Sequence, residues 1–185
     1  RLRAARLRDD LVTLDGTGEW ATASLCRGHG RRIDPLEELR YPDSVGLLYS
    51  FVTAYCGFRP NDDEYKVMGL APYGEPRFLD ALGELVEVRP DASVAIDARR
   101  LGWYAPAGLR SRALHRLLGG PPRGSDDPIT QREADLAASV QRLVEQAVDG
   151  IAARARELTG ESRLCLAGGV ALNCVANGRL RAGGR

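Results

Sequence analysis

Residues 163–180 read Arg163-Leu164-Cys165-Leu166-Ala167-Gly168-Gly169-Val170-Ala171-Leu172-Asn173-Cys174-Val175-Ala176-Asn177-Gly178-Arg179-Leu180. Arg163 to Ala167 reads as a buried strand, with Leu164 to Ala167 a short apolar run. Gly168 and Gly169 then make a tight corner, and Val170 to Leu180 reads as a helix. Two glycines between a strand and a helix let a ligand approach the backbone, where the helix N-terminus adds partial positive charge. Asn173 and Asn177 stand four apart, on one face of that helix. Two amides on one face can hydrogen-bond a ribose or a base edge; close strand–helix packing with surface asparagines is the alternative.

Upstream of this stretch, Thr130 and Glu133 form a capping box. Apolar positions recur at Leu136, Val140, Leu143, Val144, Ala147, Ile151 and Leu158. That spacing predicts a helix of about 28 residues, ended by Gly160. At the other end of the chain, a short Arg/Leu helix-like start leads into a strand at Leu11–Leu14. Asp15-Gly16-Thr17-Gly18 is a turn, and Glu19 to Leu25 reads as a returning strand, a hairpin signal. A second turn follows at Gly28-His29-Gly30. Ser44 caps a helix through Val45, Leu47, Leu48, Phe51, Val52 and Tyr55, stopped by Gly57. Residues 60–76 are dense in turn formers, 78–86 look helical, 93–96 suit a short strand, and 102–128 read as a loop with a small helix at 111–118. A hairpin start followed by helix, strand, Gly-Gly and helix points to an α/β layered fold.

The composition narrows the function. The chain has 185 residues, 26 basic and 25 acidic side chains, and a net charge of +1. Length and composition suit one soluble globular domain. The balanced charge argues against a nucleic-acid partner, which needs a clustered basic surface. Arg1, Arg3, Arg6 and Arg8 form a local basic run, read as a solvated helix face or, alternatively, an anion-binding arm. No apolar run approaches the roughly 20 residues that span a bilayer, so no membrane role is expected. Cys26, Cys56, Cys165 and Cys174 lack a C-x-x-C pair and sit in apolar stretches, which suggests reduced, buried thiols in a cytoplasmic protein. His29 and His115 are too far apart to suggest a zinc site. The first residue is Arg1 rather than Met, which reads as a piece of a longer protein or a processed product.

Two further segments could carry chemistry. Gly16, Gly18 and Ala21 formally match a dinucleotide fingerprint, but a strand rather than a helix follows, so that reading fails. A glycine-rich hairpin can still cradle phosphate with its N–H groups, and Asp15 at its start can hold a metal or its bound water; a plain hairpin is the alternative. The second segment is Glu64-Tyr65-Lys66-Val67-Met68-Gly69-Leu70-Ala71-Pro72-Tyr73-Gly74-Glu75-Pro76. It holds the only lysine and the only methionine of the chain. A lone lysine suggests that a compact ammonium was needed where a guanidinium would not serve, with Glu64 presented beside it. A packed loop bearing a surface ion pair is the alternative.

DGTGEW at 15–20, SVGLLYSFVTAYCGF at 44–58, EYKVMGLAPYGEP at 64–76 and LAGGVALNCVANGRL at 166–180, in that order, resemble the O-carbamoyltransferases of antibiotic and nodulation-factor biosynthesis. The resemblance covers residues 11–77 and 163–180, and the intervening helix is compatible with it. It implies the α/β actin-like and sugar-kinase-like (ASKHA) fold of an amino-terminal carbamoyl-transfer domain, related to the tRNA threonylcarbamoyl-transfer proteins. It further implies that residues 1–185 are an incomplete version of that domain, with the carboxy-terminal adenylate-forming domain absent.

The implied chemistry uses carbamoyl phosphate and ATP to make carbamoyl-adenylate, then transfers the carbamoyl group to a hydroxyl of a small acceptor. The resemblance implies a divalent metal, iron, in the transfer site, with Asp15 among its ligands. Gly16 and Gly18 would then approach the phosphate, and Gly168, Gly169 and Asn173 would line the adenosine, with Asn177 on the same face. Glu64 and Lys66 would face the nucleotide as further catalytic candidates. The family's H-x-x-x-H metal motif and a later aspartate segment have no counterpart within these residues, so the isolated chain is expected not to turn over. A threonylcarbamoyl-transfer or sugar-kinase-like protein of the same superfold, or a non-catalytic nucleotide-binding module, are the rival readings.

Overall fold

The computed structural model describes residues 8–18, 20–89, 91–101 and 111–183. The helix-like start, most of the basic run, Glu19 and residues 102–110 of the uninterpreted loop lie outside them. Three strands open the chain: β1 (Arg8–Leu14), β2 (Ala21–His29) and β3 (Arg32–Arg40). They form an antiparallel meander, with Leu14 opposite Ala23 across the first turn and His29 opposite Arg32 across the second. β1 starts three residues earlier than its apolar run, because pairing with Gly28 and Arg27 places Asp9 and Asp10 in the strand. β3, which the sequence left unassigned, carries alternating polar residues and is an exposed edge strand.

The chain then turns to helices. α1 (Val45–Tyr55) starts at Ser44, whose hydroxyl accepts from the Leu47 N–H at 3.0 Å, as the cap reading expects. α2 (Glu64–Leu70) runs directly into a 3₁₀ turn at Ala71–Tyr73. This corrects the expectation of a turn-rich loop at 60–76. Prolines bracket the segment but do not enter α2, and Val67 and Ala71, one helical turn apart, are both buried. A helix this short cannot hold itself and takes its stability from packing, which is why propensity missed it.

α3 (Leu79–Gly83) ends sooner than expected, and its continuation is strand β4 (Val86–Val88), paired antiparallel with β5 (Val94–Ile96). α4 (Ala98–Leu101) and α5 (Arg112–Leu117) follow.

α6 (Gln131–Thr159) is the 29-residue spine of the fold. Its capping box is formed in both directions, and Gly160 ends it in the left-handed conformation at φ 72°. Its buried face, including Leu136, Val140, Val144, Ala147 and Ile151, packs on Val12, Leu14, Ala23 and Leu25 of the sheet and on Leu48, Val52 and Tyr55 of α1. Strand β6 (Leu164–Ala167) returns beside β1 in parallel, pairing Thr13 with Ala167. The sheet order is therefore β3-β2-β1-β6. This is a mixed α/β fold, as the sequence pattern indicates.

The helix expected at 170–180 is broken. A 3₁₀ turn occupies Gly169–Leu172, and α7 (Cys174–Ala182) begins only after Asn173, which is its N-cap. The cysteines also divide. Cys26 and Cys56 are buried, but Cys165 and Cys174 are exposed: β6 is a sheet edge among the described residues, and Cys174 is the first residue of α7, with its Sγ 3.7 Å from Met68 Sδ. No helix among the described residues is long and apolar enough to cross a membrane.

Candidate functional site

β1 and β6 are adjacent and parallel, so Asp15 and Gly168-Gly169 emerge side by side at their carboxyl ends. Open α/β sheets take their ligands in that position. A cavity of about 410 Å³ opens there, and α1, α2 and α6 complete its walls. Of the residues singled out in the sequence, it brings together Asp15, Gly16, Glu64, Gly169 and Asn173.

The Asp15 wall is built by short-range geometry. Asp15 Oδ1 accepts from the Gly16 N–H at 2.7 Å. The Ser44 hydroxyl donates to the Gly16 carbonyl at 2.5 Å and lies 3.2 Å from that of Asp15, which ties the hairpin turn to the start of α1. Gly46, in the first turn of α1, permits this contact, since a Cβ there would stand 2.8 Å from the Asp15 carbonyl oxygen. Gly168 has φ 95°, and a Cβ on it would stand 2.2 Å from the Leu14 carbonyl oxygen. Its role is to let β6 turn against β1, not to line the cavity. Gly169 does line it, and a Cβ there would come within 3.5 Å of Asp15 Oδ1.

Across the cavity, Glu64 Oε1 accepts from the Ser50 hydroxyl and from the Asn61 N–H, both at 2.7 Å. Tyr49 and Asn173 line the cavity and Gln141 bonds them both; all three side chains are more than nine-tenths buried. Burial first, with the nearby Glu64 and Glu145 carboxylates adding to it, raises the Tyr49 pKa above its ordinary value, so its hydroxyl stays a proton donor. The carboxylates at the cavity are Asp15, Asp62 and Glu64, and no Lys or Arg among the described residues lines it.

Four candidates stand elsewhere. Lys66 bonds Asp63 at 2.8 Å and lies 5.9 Å from the centre of the Phe58 ring, so its ammonium does not reach the cavity. That bond raises the Lys66 pKa and, with the Arg59 N–H, lowers that of Asp63. The surface ion pair is thus the reading that the geometry supports for this residue. Asn177 Nδ2 donates to the Ala171 carbonyl at 2.8 Å and does not share a cavity face with Asn173. The break at Asn173 is the reason: the expected i,i+4 face needs both residues inside one helix. Gly18, at φ 51°, shapes the hairpin turn without lining the cavity.

Among the described residues, no group of three or more His, Cys, Asp or Glu side chains could hold a metal ion. Asp15 by itself does not make a metal centre.

Ser44 was legible only as a helix cap and Gly46 not at all, although a glycine in the first turn of a helix is itself a signal of close approach. Tyr49 and Gln141 carry no local signal, since only packing brings them to Asn173.

A family model described as carbamoyltransferase N-terminus matches residues 5–185. The chain belongs to the carbamoyltransferase family, in its amino-terminal region. It is 40% identical over 171 residues to nodulation protein NolNO of Sinorhizobium fredii and 37% identical over 173 residues to nodulation protein NolO of Bradyrhizobium diazoefficiens. It is 44% identical over 171 residues to an uncharacterized protein of Synechocystis. Each match covers 92% of this chain but between 23% and 29% of the relative. The carbamoyltransferase-family chain therefore spans about a quarter of the length of these relatives.

Proposed function

We propose that this chain is part of the carbamoyl-transfer domain of an ATP-dependent O-carbamoyltransferase acting on a hydroxyl of a small secondary-metabolite or sugar acceptor. The observation that carries the reading is the convergence of Asp15, Glu64, Gly169 and Asn173 on one cavity at the carboxyl ends of two parallel strands. The family membership supports the reaction class, and the order β3-β2-β1-β6 with its helical return is compatible with an actin-like and sugar-kinase-like domain.

In this reading carbamoyl phosphate and ATP give carbamoyl-adenylate in the intact protein. The acceptor oxygen attacks the carbamoyl carbon, the bond from that carbon to the AMP oxygen breaks, and AMP leaves with the electron pair. The acceptor proton goes to a carboxylate. In this reading Glu64 takes it, since Ser50 and Asn61 hold Oε1 and no described residue bonds Oε2. Asp15 faces the same space from the opposite wall. Gly169 lets the nucleotide approach the backbone, and Asn173 bonds its nucleoside portion. The absence of a basic lining side chain among the described residues means that a polyphosphate enters as its Mg²⁺ complex.

The test is transfer of labelled carbamoyl from carbamoyl phosphate to hydroxyl acceptors by the intact full-length protein with ATP. Glu64→Gln is expected to lower the transfer rate by about 100-fold or more. Full activity of that variant would overturn the role of Glu64. No carbamoyl transfer by the unmodified protein to any of a panel of sugar and polyol acceptors would overturn the reaction.

A further inference from the structure

Gln141 and Asn173 face each other as a paired amide ring inside the protein. Asn173 Nδ2 donates to Gln141 Oε1 at 2.9 Å, and Gln141 Nε2 donates to Asn173 Oδ1 at 3.1 Å. Each primary amide has two donor hydrogens and two acceptor lone pairs. Those of Gln141 are all engaged: beyond the ring, Tyr49 donates to Oε1 at 3.1 Å and Nε2 donates to Glu145 Oε1 at 3.1 Å. Asn173 Oδ1 is also full, because it takes the Ala176 N–H at 3.0 Å as the cap of α7. The ring and the cap together settle which way the Asn173 amide points, since the flipped amide would set its NH₂ against the Ala176 N–H. One function is left over. The second hydrogen of Asn173 Nδ2 has no partner among the described residues, and Asn173 lines the cavity.

We infer that Asn173 offers the cavity one fixed N–H donor, and that Gln141 and Tyr49 are positioning residues that hold it in place. The inference rests on the nucleotide reading of the same site and sharpens it. The ligand group that meets Asn173 is an acceptor atom, such as a purine ring nitrogen or a ribose oxygen, and not an ammonium or another donor. Tyr49 comes from α1, Gln141 from α6 and Asn173 from the start of α7, so three separate elements fix one hydrogen. Rotamer freedom that would otherwise be lost on binding is already removed by the fold.

Calorimetric titration of the chain with ATP and Mg²⁺ tests this through a double-mutant cycle. The variant that lacks the amide N–H is Asn173→Ser, because serine keeps an N-cap oxygen for α7 and its shorter side chain presents no amide. Asn173→Ser is expected to weaken ATP binding by about tenfold, the worth of one hydrogen bond. Gln141→Leu should weaken it by a similar factor, and Tyr49→Phe, which removes one hydroxyl and keeps the ring, by about two- to threefold. In the Asn173→Ser background neither second change should weaken binding further, which a merely structural role does not produce.

Additive losses in the double variants would overturn the inference, as would full binding by Gln141→Leu, while leaving the nucleotide reading intact. Absence of ATP binding by the unmodified chain would overturn both. If Gln141→Leu does not fold, the Tyr49→Phe arm decides, with thermal melting confirming that this variant is folded.

Discussion

Gly168 and Lys66 show how differently two conspicuous residues of one sequence can act. At Gly168 the positive φ and the 2.2 Å approach to the Leu14 carbonyl leave no room for a Cβ. Gly168→Ala is expected to destabilise the protein by about 3 kcal/mol, lowering the calorimetric Tm by several degrees. The sequence pattern marks Gly168 as a residue that lets a ligand approach; the structure shows it letting β6 turn beside β1. Lys66, marked by its rarity, is spent on Asp63. Lys66→Ala should leave ATP affinity within about twofold of the unmodified chain, as an exposed ion pair contributes little; a tenfold loss would return the lysine to the site. Rarity is a property of composition and does not say where a side chain points. The cysteines extend the point: Cys165 and Cys174 should react with Ellman's reagent in the native protein, while Cys26 and Cys56 stay silent until denaturant is added. Burial first, then the carboxylate of Glu133, holds the Cys56 thiol at a pKa of about 12, far from the thiolate that such reagents need.

At the scale of elements, α6 was the most legible part of the chain, because its capping box and long apolar stripe are local signals that agree with each other. Its first turn also carries a pH dependence. Burial pushes the Glu133 carboxyl up, but bonds from Thr130 and Arg132 outweigh it and leave the pKa below the ordinary 4.5. Asp135 follows the same logic: burial raises it, and bonds from Gln131 and the Glu75 N–H with the nearby Arg77 charge lower it below 3.8. A carboxylate with a depressed folded pKa stabilises the protein above its unfolded pKa, and that stability is lost as pH falls through the folded value. Urea denaturation should therefore give a constant midpoint down to about pH 5 and a falling one below it. Glu133→Gln should reduce stability at neutral pH by about 1–2 kcal/mol and flatten the acid limb. α2 and α7 were less legible. α2 is too short to announce itself, and α7 starts late because Asn173 takes the cap position in place of a helical one.

At the scale of the molecule, the cavity holds three carboxylates and no Lys or Arg among the described residues, in a chain with 26 basic side chains. Adenosine should therefore bind equally well with and without Mg²⁺, whereas ATP binding should weaken by at least tenfold when the ion is chelated; unchanged ATP affinity in chelator would show a phosphate-binding cation elsewhere. The sequence by itself determined the α/β class, the long helix with both of its ends, the first hairpin, and the strand–Gly-Gly segment that carries the family resemblance. These are readable because each depends on residues close together in the chain. Only the tertiary structure decided that Asp15 and Gly169 meet at the ends of adjacent strands and that Glu64 faces them while Lys66 does not. It also decided that Asn173 is locked by Gln141 and Tyr49. Those relations are set by the crossover of α6 and by side-chain packing over separations of 32 and 92 residues, and no local periodicity encodes a contact at that range.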